Sequence, residues 1–389
     1  MNHFLKKYKN SYFSYFLMYN FYYLSWALFS ALISVYLLDK GFKASDVSFV
    51  VSASYLTSMV AQPVIGAWND RFDIKKVDAL LFAGACIGGI VFMTADSLVM
   101  IAVSYSFVLM LLNGANPVME KMATMSPYPY GKIRIWGTIG YALGSQLAGV
   151  LYDMISPGAV FIAFVGTMIL CIAGLLGTEP GDGQNAGTSR EKVKVRDLFK
   201  NRKFVYYLCI CVIFYGITNM GNTFIPSMLT EKGLDVGIAS TILSVAVVCE
   251  APLVLFSYRF MDKAANKTLL LISMGMVWVQ CAVYGFDLPV SFIILATLMA
   301  KHPAAMLYIM VNLKVVNTLI SEKQQITALA FVATVKNLSS ILFQSIAGYI
   351  LDATSYSALF LICFGCMAGG MVLLGFFRID SGNDRKLFG

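Results

Sequence analysis

The chain has 389 residues, 58% of them hydrophobic and 13% charged, with a net charge of +8 and a mean hydropathy of +0.72. A soluble globular domain is about 45–50% apolar and about 25% charged, so this composition excludes an ordinary soluble enzyme and points to a polytopic membrane protein. The positive charge is not a nucleic-acid footprint, because its residues are divided regularly among loops.

A bilayer-crossing helix needs about 20 mostly apolar residues, and twelve segments of that kind can be marked. They run over 12–38, 46–68, 77–97, 98–120, 132–153, 156–177, 204–229, 236–258, 267–286, 288–313, 325–350 and 355–377. The segments are too long for membrane strands and lack their alternation. With the N-terminus in the cytoplasm, 24 of the 29 Lys/Arg residues fall in inner segments. The outer loops hold Lys40, Lys43 and Lys232, and Lys301 and Lys336 lie inside spans. This asymmetry is the positive-inside signal and predicts that both termini are cytoplasmic. The opening MNHFLKKYKNSYF has no short apolar core followed by a small-residue cleavage site, so segment 1 reads as a retained span.

Segment 1 carries Tyr12, Tyr15, Phe16, Tyr19, Tyr22, Tyr23, Trp26 and Phe29 at steps of three and four, mostly on one helix face. Such a stripe fits packing or an interfacial belt. It also fits an aromatic wall, in which Tyr23 and Trp26 stack on a ring-bearing solute. Segment 4 brings Asn113, Asn116 and Glu120. Segment 5 opens on the turn Pro127, Pro129, Gly131 and puts Lys132 and Arg134 in its first turn, followed by Trp136 and Tyr141. Glu120 and Arg134 also suit a pair of interfacial charges with a snorkelling arginine.

The stretch 178–203 is rich in Gly and polar residues, then basic, and reads as a cytoplasmic linker ending in a surface helix. The expected domains are therefore residues 1–177, the linker 178–203, residues 204–378 and a cytoplasmic tail, 379–389. The halves echo each other. Ala148, Gly149 and Asp153 end segment 5 as Ala347, Gly348 and Asp352 end segment 11, and the loops 70–76 and 258–267 correspond. One echo fits close helix packing. Two at matching positions favour internal duplication, which puts a binding site near the midplane where the halves meet.

In the second half the unexpected polar groups are Asn219 and Asn222 in segment 7, Glu250 in segment 8, Lys301 and His302 in segment 10, and Lys336 and Asn337 in segment 11. A charge at the centre of a span costs about 2.5–3.5 kcal/mol on insertion scales, so it needs a partner or a wet cavity. Glu250 also suits a helix-end charge near Arg259, Lys301 depends on whether Pro303 breaks segment 10, and a lone His302 also fits a structural hydrogen bond. Cys363 and Cys366 form a C-x-x-C in an apolar helix, which is read as packing.

This pattern resembles the major facilitator superfamily, with an all-α fold of twelve transmembrane helices in two pseudo-symmetric six-helix bundles. Gly66-x-x-x-Asp70-Arg71 with Lys75 and Lys76 is similar to its conformational-switch loop signature, although Asp73 stands where the consensus has glycine. The run Gly131-Lys-Ile-Arg-Ile-Trp-Gly-Thr-Ile-Gly140 resembles the helix 5 entry of the lactose-permease, nucleoside–proton symporter and phenylpropionate permease branch. The resemblance implies that Glu120 and Arg134 clamp solute hydroxyls and that Tyr141 is a stacking platform. It implies further that Glu250 couples solute to proton and that Lys336 is the branch's helix 11 lysine. Lys301 falls where the branch has its coupling histidine, Ala304 and Val279 where it has a glutamate and an arginine, and Asn219 and Asn222 where it has aspartates.

The function expected is proton-coupled symport of a small polar solute, a sugar or oligosaccharide. Glu250 is then the first proton carrier and Glu120 the second. Nucleoside or organic-acid symport (an acidic sugar or an aromatic acid) and drug/proton antiport keep the fold and change the cargo. An intramembrane enzyme or a sensor is the contrasting class, but neither H-E-x-x-H nor G-x-S-x-G occurs. No catalytic residue, metal or cofactor is expected. The expected partners are the solute, H+ and the bilayer of the cell membrane, and the expected state is a monomer.

Overall fold

The computed structural model describes residues 8–179, 198, 200–321 and 324–379, without the side chains of Asp70 and Ile326. Among these residues the secondary structure is helical throughout, with no strand. In chain order the long helices are α1 (Tyr12–Asp39), α2 (Ala44–Arg71), α3 (Ile74–Met93), α4 (Leu98–Thr124), α5 (Tyr130–Met154) and α6 (Pro157–Gly177). They continue as α7 (Arg202–Glu231), α8 (Val236–Leu255), α9 (Asn266–Gly285), α10 (Val290–Leu319), α11 (Gln325–Ala353) and α12 (Tyr356–Phe376). The surface helix expected at the end of the linker and the tail 380–389 lie outside the described residues.

Side-chain caps define several starts. Ser11, Asp73, Ser97, Ser156 and Ser355 each accept from the backbone N–H three residues on. Each satisfies an amide that the helix leaves orphaned, at a gain of about 1 kcal/mol. Ser156 and Ser355 open α6 and α12, the last helix of each half, in the same way.

Eleven of the twelve helices are both long and apolar enough to cross a bilayer. The one that falls short is α5. Its 25 residues suffice in length, but five glycines, Lys132, Arg134 and Gln146 dilute its hydropathy. Leu80, Met154, Tyr349 and Phe376 stay more than 70% exposed, as side chains facing lipid do.

The chain forms two compact units. Unit 1 comprises Met1–Ala186 and Thr223–Ser244, and unit 2 comprises Gly187–Asn222 and Val245–Gly389. In unit 1, α1 packs on α5 and α6, α2 on α4, and α3 on α4 and α6. The α1–α5 contact depends on missing side chains. A Cβ at Gly140 would strike the carbonyl oxygen of Asn20, and one at Gly144 that of Leu24. Small residues let two backbones close up where lipid supplies no hydrophobic drive between helices. Beyond that seam Phe29 packs its ring on Phe92, Tyr105 and Phe164 at 4.9–5.3 Å. In unit 2, α9 packs on α12 and α10, and Phe214 stacks on Tyr308 with centroids 3.8 Å apart.

One expectation needs correction, and one open point is decided. Segment 8 is not continuous over 236–258. It runs as Val236–Val248 and Ala251–Leu255, with a turn at Cys249 and Glu250. Pro252 has no N–H for the carbonyl of Val248, so the regular ladder fails there. Pro303 does not end α10. A π-helical turn over Thr297–Lys301 precedes it, and the α-helix resumes at His302.

Candidate functional site

Unit 1 gathers its polar groups where α1, α4 and α5 meet. Glu120, in the last turns of α4, is the hub. Its Oε1 accepts from the hydroxyls of Tyr19 at 2.7 Å and Tyr23 at 2.9 Å. Its Oε2 accepts from the hydroxyl of Tyr130 at 2.8 Å. Tyr19 and Tyr23 are four apart on α1 and so share a face. Tyr130 precedes Arg134 by four residues on α5. Hydrogen bonds to a charged acceptor contribute about 1.5–3 kcal/mol each, so the three phenols fix the carboxylate more firmly than its ion pair does. In that pair Arg134 Nε lies 3.6 Å from Glu120 Oε1, and both side chains are about one-third exposed, at 33% and 31%. Exposed pairs contribute about 0–1 kcal/mol.

Arg134 also lies over the ring of Tyr23, 5.7 Å from its centroid. Tyr23 and Trp26 stack at 6.1 Å with planes 16° apart. Asn116 donates to the Tyr23 hydroxyl at 3.4 Å. At the mouth of α5, Trp136 Nε1 donates to the Tyr12 hydroxyl at 2.8 Å, and Tyr12 donates to the carbonyl of Lys132 at 3.0 Å. The result is an aromatic surface with one carboxylate and one guanidinium at its edge. An arginine fork of this kind can donate to two oxygens at once.

Unit 2 holds a second cluster. Lys301 Nζ lies 3.1 Å from His302 Nε2, and His302 Nδ1 lies 3.9 Å from Glu250 Oε2. When Lys301 is protonated its ammonium only donates, so Nε2 accepts and the ring proton sits on Nδ1, facing the carboxylate. The 3.9 Å gap exceeds a hydrogen bond. Glu250 and Lys301 each stand two residues before a proline, Pro252 and Pro303, at the turn in α8 and the π turn in α10. The same irregularity therefore sets both charges where the backbone is not a regular helix.

The third group lies on α7 and α11. Lys336 Nζ sits over the ring of Tyr215, 5.6 Å from the centroid. Asn219 Nδ2 donates to Ser340 Oγ at 2.7 Å, and Ser340 donates to the carbonyl of Lys336 at 2.7 Å. A cation over an aromatic face gains about 0.5–2 kcal/mol, less than the roughly 2.5–3.5 kcal/mol cost of a charge at mid-span.

The structure thus brings Glu120, Arg134, Tyr23 and Trp26 together, then Glu250, Lys301 and His302, then Lys336 and Asn219. Tyr141 lies half-buried on α5, two turns beyond Arg134, and Asn222 is exposed on α7. A Cβ at Gly66 would meet nothing within 4 Å, and Arg71 is exposed. The Asp70 side chain lies outside the described residues. Tyr19, Tyr130, Asn116, Tyr215 and Ser340 join these groups without having been singled out as site residues. Their signal was spacing, since each stands four residues from a site residue on its own helix. Among the described residues no group of three or more His, Cys, Asp or Glu is placed to hold a metal, and all eight cysteines are free.

Known proteins resemble the chain over most of its length. The chain is 25% identical over 366 residues to the maltose permease of Geobacillus stearothermophilus, covering 91% of this chain and 92% of that one. It is 25% identical over 346 residues to an uncharacterized transporter of Bacillus subtilis (strain 168), covering 87% and 86%. Its fold matches a crystal structure of a point variant of the nucleoside transporter NupG with a TM-score of 0.83 at 15% identity, covering 94% of this chain and 99% of that chain. The family model of the Major Facilitator Superfamily matches residues 15–313 and 222–388. The protein is a multi-pass membrane transporter that belongs to the Major Facilitator Superfamily.

Proposed function

We propose that this transporter is a proton-coupled symporter of a small saccharide or oligosaccharide, working by alternating access in the cell membrane. The observation that carries the coupling is the row Glu250–His302–Lys301, with a carboxylate facing a histidine N–H across 3.9 Å. A proton taken up by Glu250 weakens its hold on His302, so protonation and local geometry change together. Glu120, held by three tyrosines, serves as an anchor and is the second candidate for the proton.

The saccharide assignment rests on Tyr23 and Trp26 as a ring face beside the Arg134 fork, with Tyr141 deeper on α5. Apolar sugar faces stack on such rings, and hydroxyls accept from the guanidinium. The similarity to a maltose permease supports the same cargo. In this reading residues 1–177 and 204–378 are the two moving halves, joined by the linker 178–203, and 379–389 is a tail. The Gly66, Asp70 and Arg71 loop switches their state, both termini are cytoplasmic, and the working unit is a monomer.

The test is uptake of labelled maltose, melibiose and uridine into proteoliposomes with and without an imposed pH gradient, inside alkaline. Gradient-driven accumulation of a sugar is expected, and a protonophore should abolish it. Equal sugar uptake under both conditions removes the coupling, and accumulation of uridine alone reassigns the cargo to nucleosides.

A further inference from the structure

The charges in the unit 2 spans do not balance, and the imbalance has a fixed place. Away from the helix ends these spans carry four charged side chains, Glu250, Lys301, Lys314 and Lys336. Lys314 is met by the carbonyl oxygens of Met261 at 2.6 Å and Ala264 at 2.7 Å, near the C-terminal end of α10, and by the charge of Asp262. Lys301 is linked through His302 to Glu250, so that row carries one cation and one anion. Lys336 alone has no acid. Among the described residues its ammonium lies over the Tyr215 ring, its backbone carbonyl accepts from Ser339 and from Ser340, which in turn accepts from Asn219, and it forms no ion pair. In unit 1 Glu120 is already matched to Arg134 and bonded by three phenols.

An ammonium on a lipid-length helix is stabilised by an aromatic face only in part, and the rest must come from an anion or from water. A solute that carries the anion supplies it and is selected by it, because a buried charge left unpaired discriminates against the ligand that does not match it. We propose that Lys336, backed by Tyr215 and flanked by Asn219, is a carboxylate subsite, and that the preferred solute is an acidic sugar such as a hexuronate. This rests on the saccharide reading above and narrows it. The Lys336 ammonium donates to the carboxylate, and the ring remainder is left for stacking and hydroxyl contacts.

The experiment is thermal stabilisation of the purified full chain by matched pairs, galactose with galacturonate and glucose with glucuronate, with benzoate as a non-sugar acid. Wild type, Lys336→Met and Lys336→Arg are compared. The expected result is apparent binding of the uronates at least tenfold tighter than of the neutral sugars in wild type. That preference should disappear in Lys336→Met and return largely in Lys336→Arg. Removing the unmatched cation should also raise the melting midpoint of the ligand-free protein, a readout independent of any ligand. A uronate preference that persists in Lys336→Met overturns the subsite, as does binding of neutral sugars alone. Lys336-dependent stabilisation by benzoate but by no sugar keeps the carboxylate subsite and removes the saccharide reading. Stabilisation by none of these compounds in any variant, with an unchanged ligand-free midpoint, overturns both.

Discussion

Lys301 Nζ lies 3.1 Å from His302 Nε2, and with Lys301 protonated this contact holds the histidine proton on Nδ1. Replacing Lys301 with Met removes the donor and lets the proton move to Nε2, away from Glu250. The expected result is a loss of gradient-driven accumulation of about a hundredfold or more, the scale of a misplaced general acid or base, with solute exchange retained. Proteoliposome uptake and counterflow measured side by side check this. Accumulation as strong as in wild type would show that Lys301 has no part in orienting the ring.

Glu250→Gln gives the complementary result. The glutamine keeps the size of the side chain at the turn before Pro252 but holds no exchangeable acid proton. Accumulation against a gradient should vanish while exchange of solute down its gradient persists. If active uptake survives, the carrier of the proton lies elsewhere, and Glu120→Gln is the next variant to measure.

At Glu120 the three phenols make separate predictions. Tyr130→Phe deletes one hydrogen bond to the carboxylate and leaves the other two. Because this edge is partly exposed, the loss should be near the low end of the range for a charged acceptor, about 1.5 kcal/mol or about tenfold in solute affinity. Arg134→Lys keeps the charge and loses the planar fork. It should weaken solute binding by about as much, without abolishing folding. Solute-dependent melting shifts in detergent are the measurement for both.

The α1–α5 seam offers a test of packing alone. Gly144→Leu places a branched side chain against the Leu24 carbonyl and the Ala27 methyl. Forcing methylenes into a packed site costs about 1–3 kcal/mol, so a lower melting midpoint is expected together with loss of solute binding. Gly66→Ala is the control, since a Cβ there meets nothing within 4 Å and the midpoint should not fall.

Asp78 is fully buried on α3. Its Oδ1 accepts from Asn69 Nδ2 at 3.4 Å, while its Oδ2 and Asn69 Oδ1 find no partner among the described residues. Asp78→Asn gives an amide that can donate to Asn69 Oδ1 and still accept from Asn69 Nδ2, so two orphaned atoms are reduced to none. The variant should melt at the wild-type temperature or above it. Asn69→Leu, which strands Asp78, should lose about 1–3 kcal/mol. Melting curves of the two variants decide the matter, and a marked loss in Asp78→Asn would show that a carboxylate is required there.

Most of the fold could be read from hydropathy because lipid tolerates so few alternatives to an apolar helix. The least apolar of the twelve marked segments is 132–153, which is α5, and its glycines serve contact with α1. Helical spacing placed Tyr23 and Trp26 on one face, and they do stack. The departures lie where the backbone leaves the regular period. The turn at Cys249–Glu250 and the π turn at Thr297–Lys301 shift the register of everything beyond them, and a wheel drawn at 3.6 residues per turn does not anticipate that shift. Both prolines were visible, but the way each helix absorbs its missing hydrogen bond depends on neighbours distant in sequence. Tyr130 was hidden for a different reason. It sits at the first residue of α5, where sequence alone does not say whether a side chain turns to bulk solvent or inward.

The carbonyl-to-glycine contacts between α1 and α5 have a consequence for retargeting this carrier. With no side chains interposed, the stacking wall on α1 and the guanidinium on α5 form a single plate, and neither is free to drift when a ring is exchanged. New cargo is therefore to be sought by swapping Trp26 or Tyr141, both half-buried, while Gly140 and Gly144 are left untouched as its hinge-free keel.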